Sequence, residues 1–252
     1  MAALEFENMK PRSETLFHFT KSPDALKSIL KNGFWPRYSL EDFAWYNAEI
    51  GQISYPMVCF CDIPLSRLDE HVGFYGEYGI GMTKEWARKN GLNPVIYLSN
   101  PTTVSVALAR LFTNNPHATG GYYQNCAEDI NSIISFIKPV DGNIMIGTAP
   151  ARKEFYQENE WRYVPKSPAI RQWITKEEHL NPLTLNACNE TAKNNQVLQI
   201  TPSDIKYIFV KSDAEIPNMV DFMQSELGHY TGNDLKILMS RIVSLESVNA
   251  DI

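Results

Sequence analysis

The sequence is short of the features that would announce a chemistry. It has four cysteines in 252 residues, Cys59, Cys61, Cys126 and Cys188. None stands in a C-x2-C or paired His-Cys spacing, so no metal centre is expected. Nowhere does an apolar run approach the roughly 18 residues that would span a membrane. The opening "MAALEFENMKPRSE" carries acidic residues and no hydrophobic core of a signal peptide. A reduced, cytoplasmic setting is therefore the expectation. An excess of basic charge is also missing: the net charge is −6. A global nucleic-acid footprint is thereby excluded, but not a local basic groove. H-E-x-x-H and G-x-S-x-G do not occur. "GIGMTK", Gly79 to Lys84, lacks the G-x4-G-K-[ST] spacing of a phosphate loop.

What is present is an ordinary globular composition, 44% hydrophobic and 21% charged. Residues 1–14 read as a loose N-terminal segment and 15–252 as a single domain. "TLFHFT" reads as a strand. "SPDALKSILKNG" reads as a helix capped by Ser22, opened by Pro23 and closed by Gly33. Further strands are expected at Met57–Cys61, Tyr78–Met82, "NPVIYLSNP", "NIMIGTA", "EWRYVP", "VLQIT" and "IKYIFVK". Helices are expected at "TKEWARKNG", "TTVSVALARLF", "EDINSIISFIK", "IPNMVDFMQSEL" and "NDLKILMSRIVSLESV". The span 166–196 lacks a clear period and reads as an irregular excursion with broken helix. Strands and helices do not alternate regularly, which argues α+β.

Candidate chemistry gathers around "EFYQENEWRYVP". On a strand, Glu158 and Glu160 face the same side, with Arg162 next on that face. Two like charges on one face cost stability unless a partner or a task uses them. They therefore read either as an edge-strand charge cluster countered by Arg162, or as a catalytic carboxylate with an assistant. His18 lies inside a strand between Phe17 and Phe19. His71 sits near Asp69, Glu70 and Glu77, and reads as part of a solvated turn. Cys59 and Cys61 read as small buried hydrophobes. Lys84, Arg88 and Lys89 could form a basic patch on one helix, and Trp45 and Tyr46 a lid or core wall.

"LFHFTKSPDALKSILKNGFWPRY", "YPMVCFCDIPLSRLDEHVGFYGEYGIGMTKEWARKNGLNPVIYL" and "YQENEWRYV" resemble the AbiGi-type abortive-infection family, which carries the label of an antitoxin component. The strand with His-x-Thr, the helix after it, and a glutamate opening a late strand also resemble DarT-type ADP-ribosyltransferases. That second resemblance implies a split mixed or antiparallel sheet core with flanking helices, and NAD as substrate. By it, His18 and Thr20 would contact the ribose, Arg37 the pyrophosphate, and Tyr75 or Tyr78 would stack on nicotinamide. Glu160 would hold the ribose hydroxyl with Glu158 assisting. The implied activity is that of a phage-defence toxin modifying nucleic acid, RNA slightly before DNA, with a cognate antitoxin as neutralising partner. The alternative is a non-enzymatic, antitoxin-like interaction protein on a transferase-like fold. The Cys-Phe-Cys-Asp strand departs from the transferase pattern, which often has serine or threonine there.

Overall fold

The computed structural model describes residues 13–45, 51–113, 121–146 and 149–251. Most of the segment expected to be loose, 1–14, lies outside them, as do Tyr46 and the end of "NIMIGTA". The chain opens with β1 (Thr15–Thr20) and α1 (Pro23–Asn32). Ser22 Oγ accepts from the backbone N–H of Asp24 and Ala25, and Gly33, at φ 83°, ends the helix. Next come β2 (Arg37–Asp42), β3 (Gln52–Cys61), α2 (Leu68–Tyr75), β4 (Tyr78–Thr83) and α3 (Lys84–Lys89). "NPVIYLSNP" gives two short pieces, β5 (Asn93–Pro94) and β6 (Ile96–Leu98), before α4 (Thr103–Thr113) and α5 (Gly121–Ile134). The chain continues through β7 (Ile137–Pro139), β8 (Asp141–Ile146), β9 (Ala149–Glu154), β10 (Glu160–Tyr163) and β11 (Ile174–Thr175). It closes with α6 (Lys176–Leu180), α7 (Pro182–Asn195), β12 (Ile205–Val210), α8 (Ile216–Glu226), α9 (Gly232–Met239), β13 (Ile242–Ser244) and α10 (Leu245–Asp251).

The result is a mixed α/β architecture around a mixed sheet. Seven strands run in the order β13-β12-β4-β1-β3-β10-β5, with β2 and β11 joined to β3. Only β12 and β13 pair in parallel there. One face packs Leu16, Leu26, Leu30, Phe60, Ile80 and Trp86 against α1, α3 and α8. The other packs Phe17, Phe19, Cys61, Leu68, Phe209 and Leu245. Leu16 and Phe17, adjacent on β1, serve opposite cores because strand side chains alternate.

β3 positions the rest. Its first half pairs with β2 and β11, its second with β10, and it meets β1 only through Phe17 and Cys61. Glu41 lies opposite Ile53 and Arg162 opposite Cys59, six residues apart along β3. On a straight strand that is about 20 Å. Yet the two side chains meet at 2.8 Å. The long Glu41 and Arg162 side chains cover part of that span and curvature of β3 the rest; its partners change between Met57, paired with β2, and Val58, paired with β10. Farther along β3, where β1 meets it only at Phe17–Cys61, a cavity opens that Cys59, Phe60 and Cys61 line.

Several expectations need correction. Helix α5 stops at Ile134, and Ile137 belongs to β7, parallel to β6. The final helix is interrupted by β13, whose residues continue an apolar pattern but pair with Ile208–Val210. "VLQIT" contributes only an isolated bridge between Leu198 and Phe34. The 166–196 span is more regular than expected, since α7 runs fourteen residues from an Asn181 cap with Pro182 at its first turn.

Gly76 joins α2 to β4 at φ 119° and ψ 170°, a region essentially reserved for glycine. A Cβ there would fall 2.3 Å from the Thr20 carbonyl oxygen. Gly76→Ala is expected to destabilise the fold by about 3 kcal/mol, the upper end of backbone strain, because backbone must also move aside. Urea unfolding at constant slope checks this.

Candidate functional site

Glu160 is the first residue of β10. Its N–H donates to the Tyr97 hydroxyl at 2.8 Å. Its carboxylate accepts from Arg162 Nε at 2.5 Å and from Lys138 Nζ at 2.8 Å. Arg162, fully buried, also donates to Glu41 at 2.8 Å and to the Ser135 carbonyl at 2.9 Å. Glu158 is not on the strand. It ends a turn of 3-10 helix, Phe155–Glu158, and the shared-face argument for it fails on that account. Asn159 in the left-handed region (φ 48°) redirects the chain, so that Glu158 still reaches the same Lys138, at 3.2 Å. Asparagine tolerates that conformation better than most residues. Glu158 also accepts from the Tyr75 hydroxyl and pairs with Lys153 at 2.5 Å.

Three carboxylates (Glu41, Glu158, Glu160) therefore face three cations (Lys138, Lys153, Arg162). None of the six side chains is more than 15% exposed. The cluster is neutral as a whole, which answers how two glutamates can share one buried place. Burial pushes the Glu160 carboxyl up, but the Arg162 and Lys138 charges outweigh it and hold it well below the usual range. Burial likewise pushes Glu158 up, and Lys138 and Lys153 bring it down. For Lys138, burial works against the charge, and Glu160, Glu41 and Glu158 more than restore it. Burial pushes the Cys59 thiol well up, so it is protonated and not a ready nucleophile.

His18 reaches from β1 to β3. Its Nδ1 lies 2.8 Å from the Cys59 carbonyl oxygen, and its ring meets Phe34 and Phe60 at 5.3 and 5.5 Å. A carbonyl can only accept, so Nδ1 carries the proton and Nε2 the lone pair. Burial lowers its pKa and favours this neutral form. His71 is on a helix, not a solvated turn, and stacks with Tyr75 at 4.4 Å. Burial takes its pKa down to about 4 despite the charge of Glu158, opposite to the effect its acidic sequence neighbours suggest.

His18, Ser39, Glu41, Tyr75, Glu158 and Glu160 line one cavity of about 190 Å³. A second cavity of about 440 Å³ shares His71 and Glu158 with it, and adds Arg67, Arg152 and Lys153. Tyr78 is elsewhere: its hydroxyl donates to Glu215 at 2.8 Å. Thr20, opposite Tyr78 at the end of β1, does not line the cavity. Arg37 is exposed and lies over the Trp35 ring at 4.3 Å. By alternation it shares the β2 face of Ser39 and Glu41, two residues out from the cavity. Of the expected basic patch, Lys84 is spent on Asp62 at 2.6 Å. Lys138, Lys153, Glu41, Tyr97 and His71 were missed as members of the site. Lys138 gave no usable signal, because "SIISFIK" carries a helical apolar period up to it.

The comparisons bear on this arrangement. Residues 32–211 match the family described as "Putative abortive phage resistance protein AbiGi, antitoxin". An "Abortive phage resistance protein AbiGi" of Lactococcus lactis subsp. cremoris is 27% identical over 248 residues, covering 86% of this chain and 99% of that protein. No solved structure matches. The chain is thus a mixed α/β protein of phage resistance, and it belongs to the AbiGi abortive phage resistance family. The first resemblance is borne out. The family's printed role is antitoxin, where the second resemblance led to a toxin. Among the described residues no helix is long and apolar enough to cross a membrane.

Removing one member of a buried ion cluster leaves its partner uncompensated, at about 3–5 kcal/mol. Lys138→Met is expected to destabilise by that order. Adding Glu160→Gln leaves two matched pairs, Glu41–Arg162 and Glu158–Lys153, and should recover at least half the loss in urea unfolding.

The pH dependence has a definite sign. Between about 6.5 and 4 the unfolded chain protonates His71 and the folded chain does not, so stability falls as pH drops through that window. His71→Gln should flatten this part of a stability–pH curve. The depressed Glu158 and Glu160 contribute stability that is present above about 4.5 and lost below it.

Proposed function

We propose that the protein is an NAD-dependent ADP-ribosyltransferase of a phage-defence system, with Glu160 as its central carboxylate. One observation carries the reading. His18, Tyr75 and the Glu158–Glu160 pair, from three segments far apart in sequence, line a single cavity beside the β1–β3 seam. About 190 Å³ is small for a ligand site, and the adjoining cavity of about 440 Å³ supplies room for the rest of a dinucleotide. In the reaction, the bond between ribose C1′ and the nicotinamide nitrogen breaks, and the electron pair leaves with nicotinamide. C1′ then bonds to a nucleophile of the acceptor, whose proton passes to a carboxylate or to water. A carboxylate beside the ribose stabilises the oxocarbenium-like transition state electrostatically. Glu160 suits that task because Arg162 and Lys138 hold it ionised. A ribose hydroxyl would exchange for one of its Lys138 or Arg162 bonds. His18, with its proton fixed on Nδ1, offers Nε2 as an acceptor to a second hydroxyl. The acceptor class is nucleic acid, RNA before DNA, met through a local surface since the net charge of −6 opposes tight general binding.

A second reading is favoured by a different observation. Every carboxylate of the cavity already has its cation, so the cluster also makes sense as a rigid structural element. With the family's description, that supports a non-enzymatic, antitoxin-like partner protein.

Label transfer from isotopically tagged NAD decides between them, offered RNA, DNA and cell protein separately. Label on one acceptor class, reduced at least a hundredfold by Glu160→Gln, supports the transferase. No label from the folded wild type, with no NAD binding by calorimetry, overturns it in favour of the partner protein.

A further inference from the structure

Among the described residues another, wider cavity lies beside Ser135, whose carbonyl accepts from Arg162. It has about 900 Å³ and is walled by the Asn90–Asn93 turn, the end of α5, Tyr55, the chain leaving β10, and Gln172 and Gln196. That is near the upper end of small-ligand sites. Its chemistry differs from that of the first site. Five amide residues line it, Asn90, Asn93, Asn131, Gln172 and Gln196, the last hydrogen-bonded to Tyr163. Aromatic surface comes from Tyr55, Phe136 and Tyr163. The charged lining is Glu128 and Asp129 against the single cation Lys166, so its balance is negative.

These groups select by charge and by hydrogen-bond type. A phosphate would meet two carboxylates and one lysine, so a phosphorylated ligand is disfavoured. Asn90 and Asn93 each spend one amide N–H on the carbonyls of Trp86 and Pro94, at 2.9 and 2.6 Å, and keep the other. Each keeps its side-chain carbonyl oxygen as an acceptor. Glu128 and Asp129, which when ionised only accept, tip the wall toward acceptors. A ligand that satisfies it presents donors, a flat face for the aromatics, and no negative charge.

We propose that this cavity is a second binding site, for an amino-bearing heterocycle of the nucleobase type, taken as a base or nucleoside and not as a nucleotide. The site is independent of NAD chemistry. Its floor nevertheless touches the ion cluster: Ser135 lines it and offers its carbonyl to Arg162 at 2.9 Å.

Saturation-transfer NMR on the full chain tests this, with adenosine, cytidine, uridine and adenosine monophosphate as probes and calorimetry for affinity. Adenosine and cytidine should receive saturation. Adenosine monophosphate should bind at least fivefold more weakly than adenosine, and uridine, which lacks the exocyclic amine, more weakly than cytidine. Asn131→Leu and Gln172→Leu should each weaken adenosine binding roughly tenfold, the scale of one lost amide–base contact. Lys31→Gln, on the exposed side of α1 and outside this cavity, should leave it unchanged. No saturation of any nucleoside would overturn the proposal. So would monophosphate binding as tight as adenosine, or full adenosine affinity in both amide variants at unchanged melting temperature.

Discussion

The contact on which the cleft depends is the grip of Arg162 and Lys138 on Glu160. Exposed ion pairs such as Lys31–Glu226, at 2.5 Å with both side chains about half exposed, contribute at most about 1 kcal/mol each. The buried set is different in kind. Each ion has lost its water, so each must be answered by a neighbour of opposite sign. The answering groups come from β2, β7, β9, the turn before β10, and β10 itself. Five segments with no common local code are thus tied to one point. The same ties bend β3, because Glu41 and Arg162 cannot meet along a straight strand.

Much of the fold was written locally. The Ser22 cap, Pro23 and Gly33 bound α1 wherever the rest of the chain goes, since a cap acts on its own helix. β1, β4 and β12 announced themselves by short apolar runs between turn residues. What stayed hidden was decided by distant pairing. Ile242–Ser244 follow a helical apolar pattern, and only the neighbouring β12 makes them a strand. Ile137 and Lys138 continue the isoleucine period of α5, and only β6 draws them out of it. Glu158 and Glu160 drew attention because like charges two apart ask for an explanation, and Arg162 supplied the nearest part of it. The other cations, Lys138 and Lys153, are separated from the pair by a turn or a hairpin. Nothing in their own surroundings in sequence marks them as buried.

Membership of the AbiGi family gives the protein its setting in phage resistance. The physical arrangement narrows what a ligand could be. On one side of Arg162 lies a place of balanced charge, where each carboxylate is paired with a cation. On the other lies a wider place lined by amides and rings. Arg162 reaches both, through Glu160 in one direction and the Ser135 carbonyl in the other. The division follows from β10 alone, whose first residue opens the one space and whose last lines the other.

The meeting of β1 with β3 has a mechanical consequence. The two strands share one paired position, Phe17 with Cys61, and beyond it the His18 ring bridges to the Cys59 carbonyl in place of a ladder. Elsewhere β1 is laced to β4 over all six residues. Such a sheet is stiff across one boundary and soft along the next. Parting the seam would cost the His18 bridge, its ring contacts with Phe34 and Phe60 and the Phe17–Cys61 pair, but no long ladder. That boundary is held by side chains more than by backbone, and His18 is the side chain that reaches from one strand to the other.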